Sequence, residues 1–362
     1  MVEMSGMEIG YRASMSRKLR ITLAIFGISV TVAFLSIFAN HYTGLSFGVT
    51  WDVLLAHLGG RDYGVYYYDL IVWEYYVPRA ILAVSVGAGL GIGGAVMQSM
   101  LRNPIADPYT TGVASGASFG VALFLIADIA LIPVNDYTFN LTTNAAFFAL
   151  IPTAAIVLIS RRKNMTPTTT ILAGVAVMYV FRAATSIMTL SAQSDAVEQL
   201  YMWNVGTLVN ARWDNIWIVL GVTVLGSLIL MLLSHQMTVM ISGDNSAKSM
   251  GVRTKAVRTI SLVTVAFMTA VIVGYTGTIG FMGLIAPHVA RILVGSDLKY
   301  LIPCSAVCGA FILIVCDCVT KLMVSSVPVG VITSVIGGPL FILLLIKGAK
   351  RVWYRCPIMN LR

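Results

Sequence analysis

Apolar runs of about twenty residues alternate with short polar connections along the whole chain. A helix rises about 1.5 Å per residue, so roughly 20 apolar residues cross a bilayer core. The pattern predicts ten spans: 19–39, 78–101, 109–127, 143–160, 168–190, 214–234, 256–275, 279–294, 301–323 and 329–347. Several are short or broken by glycine. The expected fold is all-α: one polytopic membrane domain over 19–350, with polar tails at 1–18 and 351–362. No stretch is polar enough to form a separate soluble domain.

Composition agrees with the pattern. Of 362 residues, 58% are hydrophobic and only 11% charged, against about 25% charged in a soluble domain. The chain is therefore an integral membrane protein. Its basic residues set the topology. With the N-terminus in the cytoplasm and the spans alternating, 19 of the 24 Lys and Arg fall on the cytoplasmic side. The net charge of +9 is then a topology signal, and no nucleic-acid partner is needed. The expected location is the cytoplasmic membrane, in contact with lipid, with both termini inside. The first run follows a basic tail and lacks a small-residue cleavage site, so it reads as a retained helix. Cys304, Cys308, Cys316 and Cys318 lie in one apolar segment, where cysteine behaves as a small buried hydrophobe. No metal site is expected.

Motifs for chemistry are missing. The sequence has no G-x-x-x-x-G-K-[ST], no H-E-x-x-H and no C-x-x-C. No catalytic residue and no cofactor are expected on this chain. Two Gly/Pro-rich interruptions do stand out, at 87–118 and 277–295. They follow spans 2 and 7, at equivalent places in two five-span halves and on opposite faces. Inverted repeats produce that arrangement, and paired interruptions mark transport pathways; ordinary small-residue helix packing is the alternative. The polar segment 241–258 is broken by Gly243 and Gly251. Two short helices with a turn fit it, either as a contact for a cytoplasmic protein or as a solvated loop. Asp317 and Lys321 lie four apart on one helical face and can pair. Arg182 has no acidic neighbour within a turn, and an intramembrane charge points to function. It either lines a pathway for an anionic substrate, or pairs with a distant helix or faces a loop. The outer loop 40–77 holds Trp51, Trp73 and seven tyrosines, which suits an interfacial belt or a docking surface.

Four stretches resemble the FecCD family, the BtuC-like permeases of ABC importers for iron-siderophores, haem and cobalamin. They are PRAILAVSVGAGLGIGGAVMQSMLRNPIADPYTTGVASGAS (78–118), SGDNSAKSMGV (242–252), GTIGFMGLIAPHVARILVG (277–295) and PVGVITSVIGGPLFILLL (328–345). The resemblance runs from about residue 19 to 350, in order. It implies a ten-helix subunit in two inverted halves, paired with a second copy as a homodimer around a central pathway. Two ATPase subunits, which hold ATP and Mg, would dock on the cytoplasmic side, and a substrate-binding protein outside. Gly243, Asp244, Ala247, Met250, Gly251 and Val252 match the segment that receives the ATPase. Pro167 and Thr168 fall in the region, 161–170, that closes the cytoplasmic gate. Gly94, Gln98, Asn103, Pro104 and Arg182 are pathway candidates, beside spans 5 and 10. In the second signature, Gly277, Gly280 and Gly283 belong to a re-entry turn on the outer side. Pro287, His288 and Arg291 form its inner end, with His288 a packing or interface residue. Arg79 matches an arginine that catches carboxylates of the binding protein. Two further docking positions are Tyr76 and Lys321 here, and neither offers the bidentate fork of an arginine. Arg182 also departs from the family, which has a small polar residue there. The cargo expected first is a ferric siderophore, then cobalamin or haem. The rival class is an ion-coupled secondary transporter, which needs acidic residues inside the spans; only Asp317 is placed deep in one.

Overall fold

In hydrocarbon every backbone N–H and C=O must find a partner within its own segment, so apolar runs fold as helices. The computed structural model describes residues 2–40, 42, 44–160, 167–323 and 327–348, and the regular structure among them is helical throughout. In chain order the helices are α1 (Val2–Ser36), α2 (Phe47–Leu58), α3 (Tyr66–Asp69), α4 (Val77–Met100), α5 (Val113–Ala127), α6 (Tyr137–Ser160) and α7 (Pro167–Leu190). They continue as α8 (Ser194–Val205), α9 (Trp213–Ile241), α10 (Asp244–Ser249), α11 (Thr254–Thr276), α12 (Met282–Val294), α13 (Leu298–Leu322) and α14 (Val329–Gly348). Helices stand at all ten predicted spans. Among the described residues, seven are long and apolar enough to cross a membrane.

The short members are informative. α5 has 15 residues and α12 has 13, roughly 20 Å each at helical rise. Each follows an irregular break, 101–112 or 277–281. The two breaks meet inside the protein. The Tyr109 hydroxyl donates to the Ile279 carbonyl at 3.2 Å and accepts from the Ile279 N–H at 3.3 Å. Irregular backbone is tolerated at such depth only when covered by protein or water, and here each break supplies part of the other's cover.

α4 is the core of the bundle, packed against α9, α11, α12 and α13. Its glycines set those separations. A Cβ on Gly87 would overlap the backbone of Gly309 in α13, and one on Gly94 would overlap Gly283 in α12. Small residues at such crossings allow backbones to approach closely. A second core joins α5, α6 and α11.

Several expectations change. Residues 40–77 are not a loop: α2 folds there, and α3 runs through a π-helical turn, Leu70–Tyr76, into α4. Pro78 explains the turn. A proline one turn inside a helix has no N–H to donate and crowds the preceding carbonyls. The wider π turn keeps the run continuous, with the Val77 N–H reaching back to the Val72 carbonyl. The segment read as tail 1–18 belongs to α1, which begins at Val2. Of the two short helices expected over 241–258, one exists, α10. The second is the start of α11, because the chain turns once at Gly251, φ +82°, and re-enters the bundle. α8 was not foreseen. It stands at the end of the bundle where Thr207 N–H bonds the Thr276 carbonyl and Gly330 N–H bonds the Gly206 carbonyl.

Candidate functional site

A cavity of about 550 Å³ opens where the two breaks meet. Tyr109, Ser115 and Ser118 line it from the first break and α5; Thr278 and Gly280 line it from the second break. α7 contributes Met178, Arg182, Thr185 and Ser186, and α8 contributes Asn204. The wall is hydroxyl-rich with a single cation. Arg182 is exposed and has no ion-pair partner among the described residues. Among the sequence candidates, Arg182 and Gly280 therefore face the cavity. Gly94 and Gln98 do not. Both are buried where α4 meets α12, with the Gln98 amide 3.4 Å from the Gly283 carbonyl and its oxygen accepting from Arg291 at 3.2 Å. Asn103 and Pro104 lie half-buried in the first break. The cavity's hydroxyls gave no sequence signal, because Ser and Thr are as common in plain helix packing.

The second signature divides differently from its expected reading. Gly277 caps α11 with φ +67°, and Phe281, at φ +65°, opens α12. Gly283 is inside α12, against α4. Pro287, His288 and Arg291 are interior, so His288 packs and makes no interface. At 2% exposure, both its ring nitrogens lack a hydrogen-bond partner among the described residues.

The three docking candidates converge at the far end of α4, in a buried cluster. Asp317 accepts from Arg79 Nε at 2.7 Å and pairs with Lys321 Nζ at 3.1 Å. Arg79 also donates to the Thr320 hydroxyl at 2.9 Å. Lys321 donates to the Ser36 carbonyl at 3.2 Å and sits 4.9 Å over the Tyr76 ring. Lys321 is 3% and Tyr76 6% exposed. Neither offers a surface to a partner in this structure, because both are consumed in tying α1, α4 and α13 together.

The opposite end carries α10. Gly243, φ +127°, turns the chain into it, and Ala247 is buried beneath it. Val252 N–H bonds the Ala247 carbonyl at 3.0 Å. Met250 is 68% exposed. Asp244 receives both guanidinium nitrogens of Arg258, at 2.9 and 3.0 Å, and one from Arg102. The hydrogen bonds from Arg258, reinforced by the charges of Arg258 and Arg102, hold the Asp244 carboxyl below its ordinary range. Residues 161–166 of the expected gate, and the side chains of Pro167 and Thr168, lie outside the described residues.

A membrane bundle with two opposed breaks, a polar cavity between them and a clasped polar element at one end has the build of a transport permease. The chain belongs to the FecCD transport family, whose pattern spans residues 23–347, and is an ABC transporter permease. Among its relatives, the cobalamin import permease BtuC of Halobacterium salinarum is 36% identical over 83% of this chain and 80% of its own. The iron(3+)-hydroxamate import permease FhuG of Bacillus subtilis is 32% identical over 88% of this chain and 97% of its own. A solved structure of a putative metal-chelate type ABC transporter, inward-facing, aligns with TM-score 0.78. It is 26% identical over 91% of this chain and 99% of that one.

Proposed function

We propose that this chain is the permease of an ABC importer for a metal chelate, a ferric siderophore first, working as a homodimer by alternating access. The observation that carries it is the cavity at the meeting of the two breaks, with an unpaired arginine in its wall. An arginine exposed partway along α7 is costly in lipid, so a second copy covers α7 and the two cavities face a shared pathway. α10 then lies on the cytoplasmic side and receives a separate ATPase subunit, which binds ATP and Mg. An extracytoplasmic binding protein docks at the opposite end, on the exposed tyrosines of α3, Tyr66 and Tyr67, more than on the buried Arg79 cluster. The rival, ion-coupled transport, needs a free acidic group in the interior; Asp317 is held between two cations, and Asp107, buried in the first break, caps Pro108–Thr111 by accepting from the Tyr109 and Thr110 N–H groups. Relatives named for cobalamin and hydroxamate support the chelate class.

Reconstitution tests this. Liposomes carrying the chain with an ATPase subunit should take up ferric siderophore only with ATP and binding protein. Gradient-driven uptake by the chain alone would overturn the reading. Arg182→Ser should lower uptake of an anionic chelate at least fivefold and a neutral one by less than twofold; equal effects on both remove Arg182 from the pathway.

A further inference from the structure

We propose that Arg102, Asp244 and Arg258 form a clasp that carries motion of α10 into both breaks of the permease. The inference rests on the reading of the chain as an ABC importer permease.

Arg102 is the first observation. It stands just past the end of α4 with φ +48°, the left-handed region where glycine is the usual residue at a helix end. A side-chain-bearing residue held there is strained, and such strain persists where the surroundings fix it. What Arg102 does with its side chain is specific. Its guanidinium donates to the Met240 carbonyl at the end of α9, 2.8 Å away, and to the Asp244 carboxylate at the start of α10.

The second observation is the fork from the other side. Arg258, in the second turn of α11, grips both oxygens of the same carboxylate, a geometry that fixes orientation as well as distance. One acid on a six-residue helix thus holds two helices, α4 and α11. The outward side of α10 stays open, with Asn245, Lys248, Ser249 and Met250 exposed.

Placement gives the clasp its consequence. α4 runs directly into the first break and α11 into the second. The breaks touch at Tyr109 and Ile279 and border the cavity. A displacement of α10 therefore pulls on the two helices that position the cavity walls. The three side chains are positioning residues: they touch no substrate. Partly exposed ion pairs contribute little to fold stability, so removing one is expected to sever the linkage and leave the bundle standing.

The experiment compares chelate imported per ATP hydrolysed in proteoliposomes of the full transporter. Arg102→Gly deletes the guanidinium and relieves the left-handed strain. It should keep or raise the thermal midpoint while lowering uptake per ATP at least tenfold. Asp244→Asn should act alike, and Asp244→Glu should recover at least half of the ratio. A cysteine pair, R102C with D244C in a background without the native cysteines, joined by a reducible bis-thiosulfonate reagent as long as the lost arginine, replaces the clasp covalently. Its ratio should be high when bridged and fall on reduction. An unchanged ratio in Arg102→Gly and Asp244→Asn overturns the clasp while the importer reading stands. Should those variants not assemble, the cysteine pair decides, and a ratio indifferent to reduction overturns the clasp. A wild-type transporter with no ATP-driven uptake sinks the importer reading, and the clasp with it.

Discussion

Asp317 shows how much one side chain can hold. Two cations converge on it in the interior, and at 1% exposure no water replaces a lost partner. Breaking a buried ion pair leaves an uncompensated charge and costs about 3–5 kcal/mol. Asp317→Asn should therefore lower the melting temperature sharply in detergent, and an unchanged melt would mean the cluster is hydrated. The Asp317–Lys321 pair was readable from sequence, since i,i+4 spacing puts both on one face. Arg79 was not, because it comes from 238 positions away. Asp244 makes the opposite case, an acid at the protein surface. Its carboxyl is held low by Arg258 and Arg102. A depressed folded value means the contribution is in place above the ordinary Asp value of about 3.9 and is lost as pH falls below it. Uptake per ATP should thus be flat from pH 8 to 5 on the clasp's account. A drop between pH 7 and 6 that disappears in Asp244→Asn would contradict that assignment.

The helices followed from hydrophobic period and length, and their boundaries failed where tertiary contacts decide. Tyrosine-rich polar stretches read as loop, yet α2 and α3 fold because Val53, Leu54, Ile71 and Val72 bury together with Ile37 at the end of α1. α2 leaves the opposite face bare: Phe47, Trp51, Leu55 and Leu58 recur at helical spacing and are exposed. Phe38 of the chain following α1 stacks on Phe47 at 4.4 Å and on Trp51 at 6.3 Å, so this face continues the lipid-facing surface of α1. Such a face belongs in the interface plane. Trp51 should be quenched by lipids brominated high on the acyl chain, measured as the difference from Trp51→Phe. Quenching equal in both proteins would place α2 away from lipid. The α4–α12 crossing is the tighter constraint. Gly94→Ala inserts a methyl into the Gly283 backbone, and overpacking of that kind costs about 1–3 kcal/mol.

The proposed homodimer rests on one helix, α7, that is thinly covered in a single copy. Only 6% of the apolar stretch of α7 is buried, although Arg182, Thr185 and Ser186 project from it into the cavity. On insertion scales an arginine at the bilayer centre costs about 2.5–3.5 kcal/mol. A helix with so little of its apolar stretch fully buried that carries such a residue is stable in a membrane only if protein and water cover its open side. The sequence foretold the paired breaks and an unmatched arginine, because glycine, proline and charge are visible in hydropathy. It did not place them at one cavity, since that depends on the Tyr109–Ile279 contact across 170 positions. Tyr179, Val180 and Ile187 are exposed beside Arg182 on α7 and should meet their counterparts in the second copy. In a background without cysteines, Ile187→Cys should cross-link into covalent dimers in membranes. A lipid-facing control on α1, Phe26→Cys, should not. Cross-linking of the control but not of position 187 would place the dimer contact on α1, and Arg182 would then need a cover other than a second permease.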